Sequence, residues 1–238
     1  MAEQVSDWES LDYGVVHTSR AFADFPDANQ LREVWLAALD AATVFERAEE
    51  YYAQHGLTCR AWTPASGQPI EPVEALLASK GWQRMDRAVM ALVKWDVWDH
   101  PADGVIRVLP ARAMRKAYRA TFEDGTPLGT MTAAAAFRRL DDSNLDAFVA
   151  MLDGRPGGRI SYLSVGDAAR VADVFVLPQF RRRRLGTLLV AHVLQIARRL
   201  LPKVIVASSD LKEPSGRGFL KRSGFAGVGE LSSFCRPK

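Results

Sequence analysis

The chain has 238 residues, of which 48% are hydrophobic and 25% charged, a length and balance that build a core without disulfide or metal staples and exclude a disordered or membrane-embedded chain. Its two cysteines, Cys59 and Cys235, stand far apart without a paired spacing, which points to a reducing compartment and away from a structural zinc. The net charge of +3 conceals an asymmetry: Met1–Gly104 holds 8 Lys+Arg against 17 Asp+Glu (−9), whereas Val105–Lys238 holds 23 against 11 (+12).

All six tryptophans lie in the acidic part, and the composition changes at WDVWDHPADG, whose Pro101 and Gly104 read as a linker. Two domains are expected, 1–98 and 105–238, the basic second one facing an anion. MAEQVSDWES has neither the basic start nor the apolar core of a signal peptide, and no apolar run approaches the roughly 18 residues of a membrane span. The expected setting is the cytoplasm, with no membrane partner.

In chain order, Asp27–Asn29 offers caps ahead of LREVWLAALDAATVFERAEEYYAQHG, whose apolar spacing predicts a helix closed by Gly56. LTCRAW reads as a short strand, PVEALLASKGW as a helix ending at Gly81, and AVMALVKW as a strand. In the second part IRVL predicts a strand, and RAMRKAYRATF and TMTAAAAFRRL predict helices. AFVAML, a DGRPGG turn, RISYLSV, a GD turn and ARVADVFVL form an antiparallel meander. LGTLLVAHVLQIARRLL is an amphipathic helix with Leu188, Leu189, Val193, Ile196, Ala197 and Leu200 on one face. KVIVASS, SGRGFLKRSGF and the tail through Phe234 add a strand, a short helix and a last strand. The fold class is α+β: a mixed, mostly antiparallel sheet flanked by helices, with a smaller N-terminal α/β domain. EPVEALLASKGW also echoes EPSGRGFLKRSGF, each following a short strand and ending in Gly plus an aromatic, so the N-terminal part reads as a degenerate half-sized relative of the second. Convergence on a common helix-end pattern is the alternative.

The run QFRRRRLGTLL, residues 179–189, decides the function. It joins a buried-looking strand, VADVFVL, to the long helix, a geometry that turns backbone N–H groups and a positive helix end toward one spot. An arginine tract by itself is commonly a solvated face or a nucleic-acid contact, but only Phe180 interleaves the charge here, and nucleic acid is set aside as the weaker partner.

The stretch V-F-V-L-P-Q-F-R-R-R-R-L-G-T-L-L resembles the acyl-CoA signature of the GNAT acyltransferases, falling on Arg181, Arg184 and Gly186, and the resemblance extends over Val105–Lys238. It implies that the backbone of Val174, Phe175 and Val176 pairs with a pantetheine arm in a gap between splayed strands. It further implies that Arg181, Arg182, Arg183, Arg184, Leu185, Gly186 and Thr187 cradle the pyrophosphate of acetyl-CoA, the acyl donor. The sequence departs from the family at Arg182 and Arg184, where glycines are usual, and at Leu220, where many relatives have a proton-donating tyrosine; a family asparagine falls at Lys212 or Glu213. The implied function is N-acetyl transfer to a primary amine, a small molecule or peptide, by direct transfer in a ternary complex. A homodimer is compatible with this and no metal is needed. The alternatives are a catalytically silent acyl-CoA-binding module and a nucleic-acid-binding protein using Arg181–Arg184.

No catalytic residue is assigned. Asp173 lies in the signature strand with its face unknown, Tyr162 reads as packing, and His192 as a helix-surface or packed histidine. His17 and Tyr13 would have to reach over from the first domain. The acidic residues of that domain would favour a cationic amine if they flanked the cleft, a solvated acidic surface being the plainer reading; the tryptophans read as core.

Overall fold

The computed structural model describes residues 5–36, 39–95, 105–122 and 127–237, the side chains of 127–131 excepted. In order come β1 (Asp7–Leu11), β2 (Gly14–Thr18), β3 (Gln30–Val34), α1 (Ala41–Gln54), β4 (Ala61–Pro64), α2 (Glu71–Ser79) and β5 (Gln83–Leu92). Then follow β6 (Ile106–Pro110), α3 (Arg115–Ala120), α4 (Pro127–Arg139), β7 (Leu145–Leu152), β8 (Arg155–Val165), β9 (Ala168–Val176), α5 (Leu185–Leu200), β10 (Val204–Asp210), α6 (Pro214–Arg222) and β11 (Phe225–Cys235). The chain forms two compact units, Met1–Asp86 with Leu231–Lys238, and Arg87–Glu230. The division therefore runs through β5 and β11 rather than through WDVWDHPADG, of which residues 96–104 lie outside the described residues.

In the first unit β1, β2 and β3 are antiparallel neighbours, β3 runs parallel to β4, and the end of β11 pairs antiparallel with β4 through Phe234↔Trp62 and Cys235↔Ala61. The core gathers Leu31, Val44, Tyr52, Trp62, Leu77, Trp82 and Phe234, and Arg84 ties Glu74, Asp86 and Ser232 together. The helix expected from Leu31 onward is a strand, then a helix from Ala41. At Glu33 the backbone turns left-handed (φ 53°) and the register shifts between Arg32 and Val34. That bulge buries Leu31 and Val34 together, an i, i+3 spacing that imitates a helix. Upstream, the buried Asn29 amide holds the chain against Ser19 and Phe22, and Asp40 caps the true helix by accepting from the Thr43 N–H at 2.8 Å.

The second unit orders its strands β5–β10–β9–β8–β7–β6, all antiparallel except the β10–β9 pair. Strand alternation splits its core in two. Phe148, Ala150 and Leu152 of β7 and Ile160 and Tyr162 of β8 join Leu185, Leu189, Val193 and Leu220 on the α5/α6 face. Ala147 and Val149 join Tyr118, Phe122, Ala133 and Leu140 on the α3/α4 face. α5 buries a stripe through Leu185, Leu189, Val190, Val193, Leu194 and Ala197; of the face expected from sequence, Leu188 and Ile196 are half-buried and Leu200 is exposed. The DGRPGG turn contracts to Asp153–Gly154, both with positive φ, because two left-handed residues suffice for a tight hairpin, and Arg155–Gly158 enters β8.

Gly157 and Gly158 permit close approach of α5 and β9. A Cβ on Gly157 would stand 2.5 Å from Leu185, and one on Gly158 would stand 2.6 Å from the Phe175 carbonyl oxygen, a backbone atom that cannot step aside. We expect Gly158→Ala to lower the unfolding free energy by about 1–3 kcal/mol in urea titration. An unchanged midpoint would show that β8 and β9 separate freely.

Candidate functional site

Parallel pairing of β9 with β10 runs only from Ala168↔Val204 to Val171↔Ala207, yet β9 continues five residues to Val176. On its other edge β9 stays paired, Phe175 with Arg159 and Val176 with Gly158. The Leu177 N–H donates to the Gly157 carbonyl at 2.9 Å, toward β8. Since successive amides alternate between strand edges, Val176 and Val174 turn theirs to the side that β10 has left, and Phe175 turns its own to β8. The Val176 carbonyl accepts from Arg181 Nε at 3.3 Å. Of the three strand residues expected to meet a ligand, two therefore present backbone groups along the open edge.

Beyond β9 a single turn, Pro178–Phe180, leads into the arginines, all four exposed. Arg182 and Arg184 are left-handed (φ 65° and 63°), at the two positions where the sequence departs from glycine. Left-handed backbone costs a non-glycine residue about 1–2 kcal/mol. The first helical bond of α5 is Leu188 N–H to the Arg184 carbonyl, 3.0 Å, so the amides of Leu185, Gly186 and Thr187 have no acceptor within the helix. No side chain caps this end, and no acidic residue lies in its first turn. A Cβ on Gly186 would meet the Phe219 ring at 3.4 Å and Val176 at 3.6 Å, so this position is the narrow floor between β9 and α6. Amides without an acceptor in the helix, the positive helix end and the guanidinium groups are together able to hold an anion.

The opposite face of β9 carries a second group of polar residues, in which Asp173 is joined by Ser161, Arg159 and Tyr118, three residues without a local signal of function. At Asp173 the strand bulges, left-handed (φ 53°), with a register shift against β8. Its exposed carboxylate accepts from the Ser161 hydroxyl at 3.2 Å. Next to Ser161 on the same face, the Arg159 guanidinium lies 3.7 Å from the Phe122 ring centroid and 4.4 Å from that of Phe175, and donates to the Thr121 carbonyl. Burial lowers the pKa of Arg159. Tyr118 is buried beside them; burial first, and the Asp173 charge second, push its pKa up to about 12, so it keeps its proton. What the sequence does show is a lone arginine two residues before Ser161 within the otherwise uncharged stretch PGGRISYLSV.

Other candidates fall elsewhere. Tyr162 and Leu220 are buried in the α5/α6 core. Lys212 and Glu213 are exposed at the entry to α6, and Tyr13 and His17 are buried in the first unit. Of the tryptophans, Trp62 and Trp82 are core, whereas Trp8, Trp35 and Trp95 are exposed, contrary to the expectation that all are packed; Trp98 lies outside the described residues. Among the described residues no group of three or more His, Cys, Asp and Glu is placed to hold a metal, and no helix is long and apolar enough to cross a membrane.

The model of the acetyltransferase (GNAT) family matches residues 111–225. Among solved structures, a functionally unknown conserved protein from Staphylococcus epidermidis superposes with a TM-score of 0.74 at 13% identity, covering 96% of this chain and 93% of that one. A GCN5-related N-acetyltransferase from Kribbella flavida gives 0.64 at 17%, covering 100% and 91%. A tandem GNAT protein from the clavulanic acid biosynthesis pathway gives 0.58 at 17%, covering 83% and 70%. At these identities the likeness is one of fold. No curated protein sequence matches the chain.

Two outcomes are expected from this geometry. Arg184→Gly relieves left-handed strain and raises ligand-free stability by about 1 kcal/mol, read by thermal unfolding; a loss would mean that the Arg184 side chain contributes more than its backbone costs. His192 packs edge-on against Phe148 at 4.6 Å, and burial lowers its pKa below 6.5. The unfolded chain then binds the proton more readily, so stability is full above about pH 6.5 and falls as the pH drops below it. His192→Gln should flatten that acid limb in urea titrations at pH 8 and pH 5.5.

Proposed function

Residues 111–225 belong to the acetyltransferase (GNAT) family, and from that premise we propose that the protein is an acetyl-CoA-dependent N-acetyltransferase acting on a primary amine, small molecule or peptide, by direct transfer in a ternary complex. The observation that carries the reading is continuous: the open edge of β9 leads through the arginine turn into the uncapped N-terminus of α5. The residues fit the donor. Val174 and Val176 offer strand amides and carbonyls to an amide-bearing arm, and the amides of Leu185, Gly186 and Thr187, with Arg181–Arg184, offer donors to a pyrophosphate. The missing Cβ of Gly186 leaves room at the floor.

Acetyl-CoA supplies a thioester acyl group, which passes to the amine as the thiol leaves. This chain's contribution is to hold, orient and receive a proton. An amide on the open edge of β9 can polarise the acyl oxygen. Asp173, exposed and steadied by Ser161, is the carboxylate we assign to take the proton of the incoming amine. Leu220 donates none, so the departing thiolate takes its proton from solvent. Direct transfer is favoured because Cys59 is buried in the first unit, its thiol pushed up to about 12 by burial, and Cys235 also lies in that unit. We place the activity in the cytoplasm.

The first unit is, in this reading, a degenerate repeat of the same plan. β3–α1–β4–α2 follows the order of β9–α5–β10–α6, with a parallel strand pair and an acidic left-handed bulge in each, Glu33 and Asp173. Its helix is capped by Asp40, which fills the place an anion would take.

Acetyl-CoA at about 100 times its dissociation constant should stabilise the protein by roughly 2.7 kcal/mol, visible in thermal unfolding. Gly186→Glu should abolish that shift by placing a carboxylate in the cradle, with the ligand-free melting temperature as its folding control. No shift in the wild-type protein, together with salt-sensitive retention on DNA, would move the arginines to a nucleic-acid role.

A further inference from the structure

Arg159 is a cation with too few partners. Its guanidinium carries five N–H donors. One hydrogen bond goes to the Thr121 carbonyl, and Nε is buried without an acceptor. Among the described residues no carboxylate pairs with it, although Asp173 lies near enough for its charge to be felt. Two phenyl rings fix its plane, and a buried charge that costs solvation is ordinarily paired. It also sits at the reacting end: Arg159 faces Phe175 across the β8–β9 ladder, between Val174 and Val176. Along β8, Arg159 and Ser161 are two residues apart on one face, about 7 Å. Asp173, bonded to Ser161, and Arg159 thus present opposite charges on one face of the sheet, near enough for the Asp173 charge to act on Arg159.

We propose that the acceptor is a free amino acid or a close analogue, an amine with a carboxylate on the same or the next carbon, whose carboxylate is taken by Arg159 while its nitrogen lies at Asp173. This rests on the acyl-transfer reading above. Arg159 is then the specificity-determining residue: it completes its hydrogen bonds only when an anionic acceptor arrives, and an ester or amide of the same compound leaves it unsatisfied.

The test compares free leucine, leucine methyl ester and 3-methylbutylamine as acceptors, following release of CoA thiol from acetyl-CoA, in the wild type, Arg159→Met and Arg159→Lys, each first checked for its melting temperature with and without acetyl-CoA. We expect free leucine to exceed the ester by roughly 10-fold or more in kcat/KM in the wild type. Arg159→Met should remove that preference by raising KM for the free acid far more than for the ester, and Arg159→Lys should restore part of it. Equal rates for acid and ester in the wild type, or an equal fall for both in Arg159→Met, would overturn the proposal and leave Arg159 a structural residue. Turnover of none of the three, with the acetyl-CoA shift intact, would likewise overturn it while sparing the donor site. Absence of that shift would instead bring down the acyl-transfer reading itself.

Discussion

The second unit depends on where one ladder of hydrogen bonds stops. β10 accompanies β9 through Val171 and no further, and the remaining strand amides must find another partner. Val174 and Val176 turn theirs to the vacated side, and β8 holds the strand in place through Phe175 and Leu177. A strand anchored on one edge and open on the other is a rigid template for an extended, amide-bearing ligand. The bulge at Asp173 belongs to the same device: it re-phases the strand, so that Val174 and Val176 face α5 while Asp173 and Phe175 face α3.

That division of faces separates two electrostatic problems. On the α5/α6 side the charges are exposed, screened and numerous, suited to drawing in and holding a polyanion. On the α3/α4 side one charge, Arg159, is packed between two rings, where it counts for more because water is scarce. Both units place a helix after a bulged strand, but one closes its N-terminus with Asp40 and the other leaves it bare behind two left-handed arginines. The Asp40 carboxylate thus satisfies in the first unit the kind of helix-end amides that no side chain satisfies in the second.

Much of this was legible in the sequence. The meander, the long helix, the strand and the short helix after it follow from apolar spacing and turn residues, and the arginine run read as an anion turn because of what stood on either side. Two of the features that escaped share a cause. At Glu33 and at Asp173 an inserted residue breaks the two-residue period, so Leu31 and Val34 imitate a helix and the face of Asp173 stays ambiguous. Arg159 escaped for a different reason: its surroundings come from α3 and β9, elements distant in the chain, and no local pattern announces them. The two compact units divide within β5 and β11, a feature of strand pairing that a change in charge composition does not mark.

The last strand carries a consequence for how the molecule is made. Phe234 is buried in the first unit beside Trp62, a partner some 170 residues earlier, while everything from Arg87 to Glu230 belongs to the second unit. On the ribosome, the first 86 residues emerge with that position in the sheet vacant, and it stays vacant while the whole second unit is synthesised. Closing so long a loop is entropically slow, and in the interval the side of β4 that β11 will cover is an exposed strand edge next to a tryptophan. The unit encoded first is thus the one completed last, which makes the nascent chain, rather than the finished protein, the form most in need of protection from aggregation.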